Sequence, residues 1–420
     1  MLIYGADVSN AFAEAPPPKQ GFFIYLDRAF HNWWVNKKGK PPTPHGHVIL
    51  VPGAMQGHPE SPRLWEKHID RILHDIGLTP TIHEQCINSG LILSERVLFM
   101  RQVDDFEISA PSQRIANHVL DLIDDQLTIP MKRQGLVTLY NRLDILQTRD
   151  YIKVSCEMYI NRISELHLAQ GWMKAYLISD RPTPLPTTPQ FMNALQSEEG
   201  DPDDKAQLAL AKKMGFSYRS GIGQLVYVMV CCRPDLLFAT VKLSQHNTCP
   251  GKVHYDGVRH ALKYLHQTHS EGLYYWRTTP RSELDSVPLP TILSMEHDLL
   301  RTNRQHHDAL YTHGMSNADW ASCLHTRQSF TGSLIKLAGA AVAYKTQLQA
   351  TIATSSTESE FMAAYELGKA LLYVRSLLWD LNIPQEAASL IYEDNDACTA
   401  QCSEANKSHQ AYEHQIQCTM

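Results

Sequence analysis

This chain of 420 residues lacks an excess of positive charge: 38 Lys and Arg stand against 44 Asp and Glu, a formal net charge of −6. A protein that grips nucleic acid through a uniformly basic surface needs the opposite balance. Cysteine is also sparse. The nine cysteines include no Cys-x-x-Cys pair, which argues against a zinc ribbon. An odd cysteine count, with no basic, apolar leader at Met1–Asp7, fits a reducing compartment. No apolar run reaches bilayer length, because the most hydrophobic stretch, Leu225–Leu243, is cut by Arg233-Pro234-Asp235. The expectation is a soluble protein of the cytoplasm or nucleus, not secreted and without a membrane partner. No internal repeat, Gly-rich phosphate loop or nucleophilic triad stands out. The 21 His form no motif with acids or cysteines that would read as a metal site.

What remains is ordinary globular composition with an uneven distribution of acids. Apolar content of 43% is enough for buried cores, and this length allows two or three domains. From Tyr311 onward, 11 Asp and Glu face 6 Lys and Arg, so the acidity is concentrated in the C-terminal part. Leu2–Asp7 reads as a buried strand ending in a carboxylate, and His47–Val51 as another strand. Ser61-Pro62 opens a helix. Gly90–Glu95, Val97–Gln102 and Phe106–Ser109 read as strands, Ile115–Leu127 as an amphipathic helix, and Leu136–Val154 as further strands. Arg181–Asp204 is rich in Pro and acid and reads as a linker. Tyr218–Leu265 is largely helical, and Thr278–His307 is a second polar connection. A compact module follows, with strands near 309–316, 332–337 and 342–348, a helix from Glu358 to about Leu381, and a strand Ser389–Glu393. The expected class is a multidomain α+β or α/β protein, with domains at 1–180, 181–307 and 308–420.

Two acidic groupings carry chemistry. Of three Asp-Asp pairs, Asp124-Asp125 lies in a helical pattern and Asp203-Asp204 in the acidic linker, and both read as solvated surface. Only Asp104-Asp105 is flanked by apolar strands, which reads as a hairpin with carboxylates at its turn. With Asp7 it forms the first candidate site. The second is Asp319, Glu360 and Asp394: two strand ends and one helix start. Carboxylates repel one another, and clusters are tolerated when hard cations sit between them. Both groupings suit two-metal phosphoryl chemistry. Two local alternatives stay open. Glu360 fits a capping box with Thr357, although Ser355-x-x-Glu358 fits equally. Asp394 fits an N-cap of the following helix.

The first grouping resembles the reverse transcriptases. Asp7 and Phe12 match that family's Asp-x-x-x-x-aromatic. Gln56, Gly57, Ser61 and Pro62 match Gln-Gly-x-x-x-Ser-Pro, and Gln102-Val103-Asp104-Asp105 matches aromatic-x-Asp-Asp, with Gln in place of the usual Tyr. Tyr218–Gly223 and Arg233-Pro234-Asp235 extend the resemblance to copia-type retrotransposon Pol polyproteins over most of the chain. The C-terminal module resembles the RNase H of those elements: Glu360-Phe361-Met362-Ala363-Ala364 matches Glu-x-Met-Ala-Ala, and Tyr392-Glu393-Asp394 matches aromatic-x-Asp. The family's first carboxylate aligns with Asn317. Strand alternation keeps Asn317 and Asp319 on one face, so Asp319 is the expected substitute. The family's late acid has no counterpart around His414.

The resemblance implies a palm-like sheet with helices, a connecting region and an RNase H-like mixed sheet with helices. In the family a basic fingers segment precedes the first catalytic strand, and this chain starts at that strand, so the expectation for 1–180 is a palm and partial thumb with the fingers truncated. The implied catalytic and metal-binding residues are Asp7, Asp104 and Asp105 in the polymerase site and Asp319, Glu360 and Asp394 in the nuclease site. Phe12, Gln56 and Gly57 are implied to bind the nucleotide. The implied cofactor is Mg2+, two ions per site, with Mn2+ as substitute. The implied partners are RNA or DNA template–primer, RNA–DNA hybrid, dNTPs and other products of the same polyprotein. Tyr140–Asp144 falls where the family places a primer-gripping hairpin, with an ordinary strand as the alternative. Lys132, Arg133, Arg142 and Arg149 read either as phosphate contacts or as a solvated face.

Overall fold

Leu2–Asp7 is the strand around which the first part of the chain is built. Its residues alternate between Leu2, Tyr4 and Ala6, all buried, and Ile3 and Asp7, which are half-buried. In the computed structural model, which describes residues 1–25, 27–42, 48–173, 183–277, 310–323, 326–408 and 416–419 (side chains only to 402 in the last two), this strand is the fifth of a six-stranded antiparallel sheet. The order is Thr79–Pro80, Ile87–Ile92, Glu95–Gln102, Asp105–Ala110, Leu2–Asp7, Lys132–Leu136. One face presents Val97, Phe99, Phe106, Ile108, Leu2 and Tyr4 to a buried core. Helix Ser61–Asp75 buries Trp65, Ile69, Ile72 and Leu73, and helix Gln113–Asp124 buries Ile115, Ala116, Val119, Leu120 and Ile123. Both stripes repeat at helical spacing. The expected strand Gly90–Glu95 is instead the end of one strand and the start of the next: Leu93 and Ser94 turn between them with φ of 51 and 64, matching the right-handed strand twist. Val48–Leu50 pairs with Phe23–Tyr25 in a small hairpin.

The chain divides into two compact units, Met1–Val137 and Thr138–Met420. The expected boundaries near 180 and 307 both fall inside the second unit and beside the undescribed stretches 174–182 and 278–309. In the second unit a four-stranded sheet runs Gly272–Trp276, Tyr151–Ser155, Leu143–Gln147, Leu139–Tyr140. The Tyr140–Asp144 segment is a hairpin here. Asn141 and Arg142 take φ of 50 and 65, and the Asn141 carbonyl accepts from the Tyr227 hydroxyl at 3.1 Å. Helices Glu157–Ala169, Tyr218–Cys231 and Lys252–Gln267 share a core that includes Ile160, Leu225, Val228, Val258, Leu262 and Leu265. The stretch expected as a linker contains helix Pro189–Ser197, capped by Thr188, with Leu195 buried. That one apolar side chain anchors an otherwise polar stretch.

The C-terminal part of this unit is a five-stranded mixed sheet. Its order is Ala340–Leu348, Phe330–Leu337, His313–Asp319, Ser389–Tyr392, Ile416–Thr419, with the first three antiparallel and the last two joined in parallel. Helix Ser356–Asp380 packs on it through Leu367 and Leu371 against Ile335 and Ile391. Gly314 is what lets the helix approach, because a Cβ there would lie 2.9 Å from the Leu367 side chain. The architecture is therefore α+β and multidomain. Among the described residues no helix is long and apolar enough to cross a membrane. The Thr278–His307 connection and the segment around His414 lie outside the described residues.

Candidate metal centres

In the first unit, strand register does the assembling. Asp7 pairs with Asp105 across neighbouring strands, and the Val8 N–H donates to the Asp104 carbonyl at 2.9 Å. Antiparallel partners share a sheet face, so acids remote in sequence stand side by side. Val103-Asp104 forms the turn between strands Glu95–Gln102 and Asp105–Ala110. Val103 holds φ of 60, a left-handed conformation that β-branched residues rarely adopt. Trp65 pins it: the indole N–H donates to the Val103 carbonyl at 2.6 Å, and the ring stacks on Phe106. Asp104 is exposed and Asp105 half-buried. Partial burial, then the charges of Asp104 and Asp7, push the Asp105 carboxyl above its usual range. Glu107 was not legible as a site residue. It stands on the same face two residues past Asp105, opposite Gly5, and is buried. Strand alternation was the available signal.

Phe12 lies half-buried in the short helix Ala11–Glu14 that follows Asp7. Gln56 and Gly57 are exposed on the turn before helix Ser61–Asp75, with Gly57 at φ of 93. Ser61 is buried and ties down this turn. Its Oγ donates to the Met55 carbonyl at 2.6 Å and accepts the Met55 N–H at 3.0 Å. The Ala54 N–H donates to the Ala15 carbonyl at 3.2 Å, linking the Gln56–Gly57 segment to the one that carries Phe12. Gln102 is exposed opposite Asp105.

The control pairs have structural work. Asp124 accepts the Met131 N–H at 2.8 Å and the Arg133 guanidinium at 2.9 Å, and Asp203 caps helix Asp204–Met214. Asp125, Asp203 and Asp204 are exposed, as expected of surface acids, and Asp124 is half-buried. Arg133, bound to Asp121 and Asp124, is committed within the protein. Lys132 is exposed and in register with Asp7.

The C-terminal module resolves both local alternatives. Ser355 caps the long helix by accepting the Glu358 N–H at 3.1 Å, and Glu358 reaches back to Thr354. Glu360 is therefore not spent on capping. Asn395, not Asp394, caps helix Asp396–Ser408 by accepting the Cys398 N–H at 2.9 Å. Glu360 and Asp394 converge, and the third member of their group is Glu393: ligand atoms from the three lie within 4.8 Å of one another. Among the described residues this is the one such group. Glu360 is 7% exposed and Glu393 2%. The Glu393 carboxylate accepts from Ser316 Oγ at 2.8 Å and from the Asn395 N–H at 3.3 Å.

Burial, then the Glu393 charge, the Asp394 charge and a hydrogen bond shared with the Glu393 carboxyl push Glu360 up to about 7, against one hydrogen bond from the Ala318 backbone. Glu393 is raised too, chiefly by burial. Glu360 Oε2 is buried without a hydrogen-bond partner. Three carboxylates gathered this closely, one with an oxygen left without a partner, are a donor set suited to a hard divalent cation.

Asp319 is not in this group. It shares an exposed strand face with Asn317, and its charge acts on Lys242, which sits 4.0 Å from the centre of the Phe330 ring. Phe330 is its partner in register. Asn317 instead lines a cleft of about 800 Å³ together with Ser316, Lys345, Glu393 and Asp394. Glu393 was missed because it was read only as the spacer between an aromatic residue and Asp394.

No family model matches the chain. It is 24% identical over 342 residues to the retrovirus-related Pol polyprotein from transposon TNT 1-94 of Nicotiana tabacum, covering 81% of this chain and 22% of that polyprotein. It is 22% identical over 361 residues to the retrovirus-related Pol polyprotein from transposon RE2 of Arabidopsis thaliana, covering 85% and 21% respectively. A shorter match, 32% over 149 residues, is to secreted RxLR effector protein 161 of Plasmopara viticola, covering 36% of this chain and 84% of the effector. The chain spans about a fifth of the length of the Pol polyproteins it matches. A foamy viral protease–reverse transcriptase in complex with double-stranded DNA aligns at a TM-score of 0.22 and 10% identity, covering 93% of this chain and 51% of that one. That score is too low to carry a fold inference.

Proposed function

We propose that this chain, which belongs to the retrovirus-related Pol polyproteins of transposons, carries RNA-directed DNA polymerase chemistry in its first unit and ribonuclease chemistry on RNA–DNA hybrids in its C-terminal module. The observation that carries the reading is the register of Asp7 against Asp105, which gathers distant acids beside Asp104 at one end of a sheet. The reaction class is nucleotidyl transfer, in which a primer 3′-hydroxyl attacks the nucleotide α-phosphate and pyrophosphate departs. Magnesium, when bound, supplies positive charge to the attacking and departing oxygens. Asp7 and Asp104 would hold it, with Asp105 in support. The Trp65–Val103 hydrogen bond keeps the acidic turn rigid, and rigidity matters where a misplacement of about 1 Å costs about 10²-fold in rate.

Phe12 would lie under the sugar of the incoming nucleotide, and Gln56 and Gly57 would line its pocket. Gly57 presents bare backbone at a φ that side chains resist. In the module, Glu360 and Asp394 would hold the metal, and the strand order around His313–Asp319 supports the RNase H-like reading. A second reading is a nucleic-acid binder that has lost catalysis. It is favoured by Gln102 at the family's Tyr position and by uncharged Asn317.

Primer extension on poly(rA)·oligo(dT) with Mg2+ separates the two. The expected result is extension that falls at least about 10²-fold in Asp104→Asn. Extension that is absent, or indifferent to that substitution, overturns the polymerase reading. Cleavage of a labelled hybrid should likewise vanish in Glu360→Gln.

A further inference from the structure

We propose that Glu393 is a cation ligand of the C-terminal module, supplying the third negative charge that Asn317 does not. This rests on the nuclease reading above and extends it to a residue that the family pattern treats as a spacer. Three observations converge. The first is proximity: Glu360, Glu393 and Asp394 each offer an oxygen within 4.8 Å of the others. Two oxygens on opposite sides of one magnesium ion lie about 4 Å apart, so only small side-chain rotations bring all three onto one ion.

The second is the orphaned oxygen. Glu360 is more than nine-tenths buried, its Oε2 has no hydrogen-bond partner, and the rest of its carboxyl is met by the Ala318 backbone and the Glu393 carboxyl. A buried carboxylate left unpaired is costly, and no ion pair reaches any of the three acids among the described residues. A cation removes that cost.

The third is how Glu393 is held. Ser316 Oγ and the Asn395 N–H fix its carboxylate, and Ser316 is the neighbour of Asn317 on the strand where the family carries its first acid. Asn317 and Glu393 line the same cleft. The Glu393 carboxylate thus shares the cleft with the uncharged Asn317, whereas Asp319 belongs neither to the cleft lining nor to the acidic group.

The test is manganese binding to the full chain by titration calorimetry. It is done in an Asp7→Asn/Asp104→Asn/Asp105→Asn background, so that the remaining binding reports this group. Glu393→Gln should weaken Mn2+ affinity at least tenfold and remove most of the Mn2+-induced rise in melting temperature. Adding Asn317→Asp to Glu393→Gln should restore binding, a rescue that also shows the variant is folded. Asp319→Asn should change nothing. If Glu360→Gln abolishes binding while Glu393→Gln leaves it intact, the role of Glu393 is refuted and the nuclease reading survives. If the background binds no Mn2+ at all, both fall. Weakened binding in Asp319→Asn would also overturn the assignment.

Discussion

The two acidic sites differ in how they tolerate charge. In the first unit the acids gather at the end of a sheet, with Asp104 exposed and Asp7 and Asp105 half-buried. Water screens them, while partial burial and the neighbouring charges raise Asp105. In the C-terminal module Glu360 and Glu393 are buried within a few ångströms of each other. There the environment demands either a proton or a cation. On the proposed metal-binding reading, a cation entering the buried pair displaces protons, whereas at the exposed turn water already screens the charge.

That contrast can be broken at several levels. The largest effects should come from cross-substitution. Asp7→Asn is expected to cut primer extension by about 10³-fold and leave hybrid cleavage untouched, and Glu360→Gln the reverse. Loss of both activities from either substitution, measured in parallel assays, would show that the sites are not independent.

The pH dependence of stability should separate them next. Glu360 binds a proton in the folded state up to about 7, above its model-compound value of 4.5. Between these values the native state holds more protons than the unfolded one, so stability falls as pH rises through about 7. The loss is at most about 3 kcal/mol at 1.36 kcal/mol per unit. Denaturant melts of the metal-free chain should show this decline, Glu360→Gln should flatten it, and saturating Mg2+ should reduce it. Asp105 has the same sign with a smaller contribution.

Trp65→Phe should cost about 1 kcal/mol in the first unit through loss of one buried hydrogen bond, read as a shift in denaturant midpoint. Extension should drop by more than that stability change explains, because the acidic turn loosens. Smallest is Ser355→Ala. Losing the helix cap costs about 1 kcal/mol and should reduce hybrid cleavage only a few-fold, with no effect on extension.

Much of the core pattern was legible. The helical stripe Ile115, Val119, Leu120 and Ile123 and the alternation of Leu2, Tyr4 and Ala6 are periodic, and burial follows period. The turn at Leu93-Ser94 was not, because neither residue is a usual left-handed former. Domain boundaries were read at 180 and 307 from polar stretches, and the contacts group the chain as Met1–Val137 and Thr138–Met420, with both expected boundaries beside residues the structure does not describe. Of the candidate residues named from motif spacing, the fold brings Asp7 beside Asp105 and Glu360 beside Asp394. Glu393 and Glu107 were not named, because a motif names the residues a family shares and passes over its variable positions.

The linear chain settled which segments form strands and helices and where carboxylates cluster along them, because local periodicity and capping chemistry act over a few residues. It also left Ser355 and Thr357 as rival caps. Only the folded arrangement decided that Ser355 takes the cap, that Glu360 turns inward, that Glu393 joins its group and that Asp319 stays outside it. Those outcomes depend on strand register and helix rotation, which are set by the packing of Leu367, Leu371, Ile335 and Ile391 across the sheet. Side-chain convergence is a property of that packing, and no spacing along the chain encodes it.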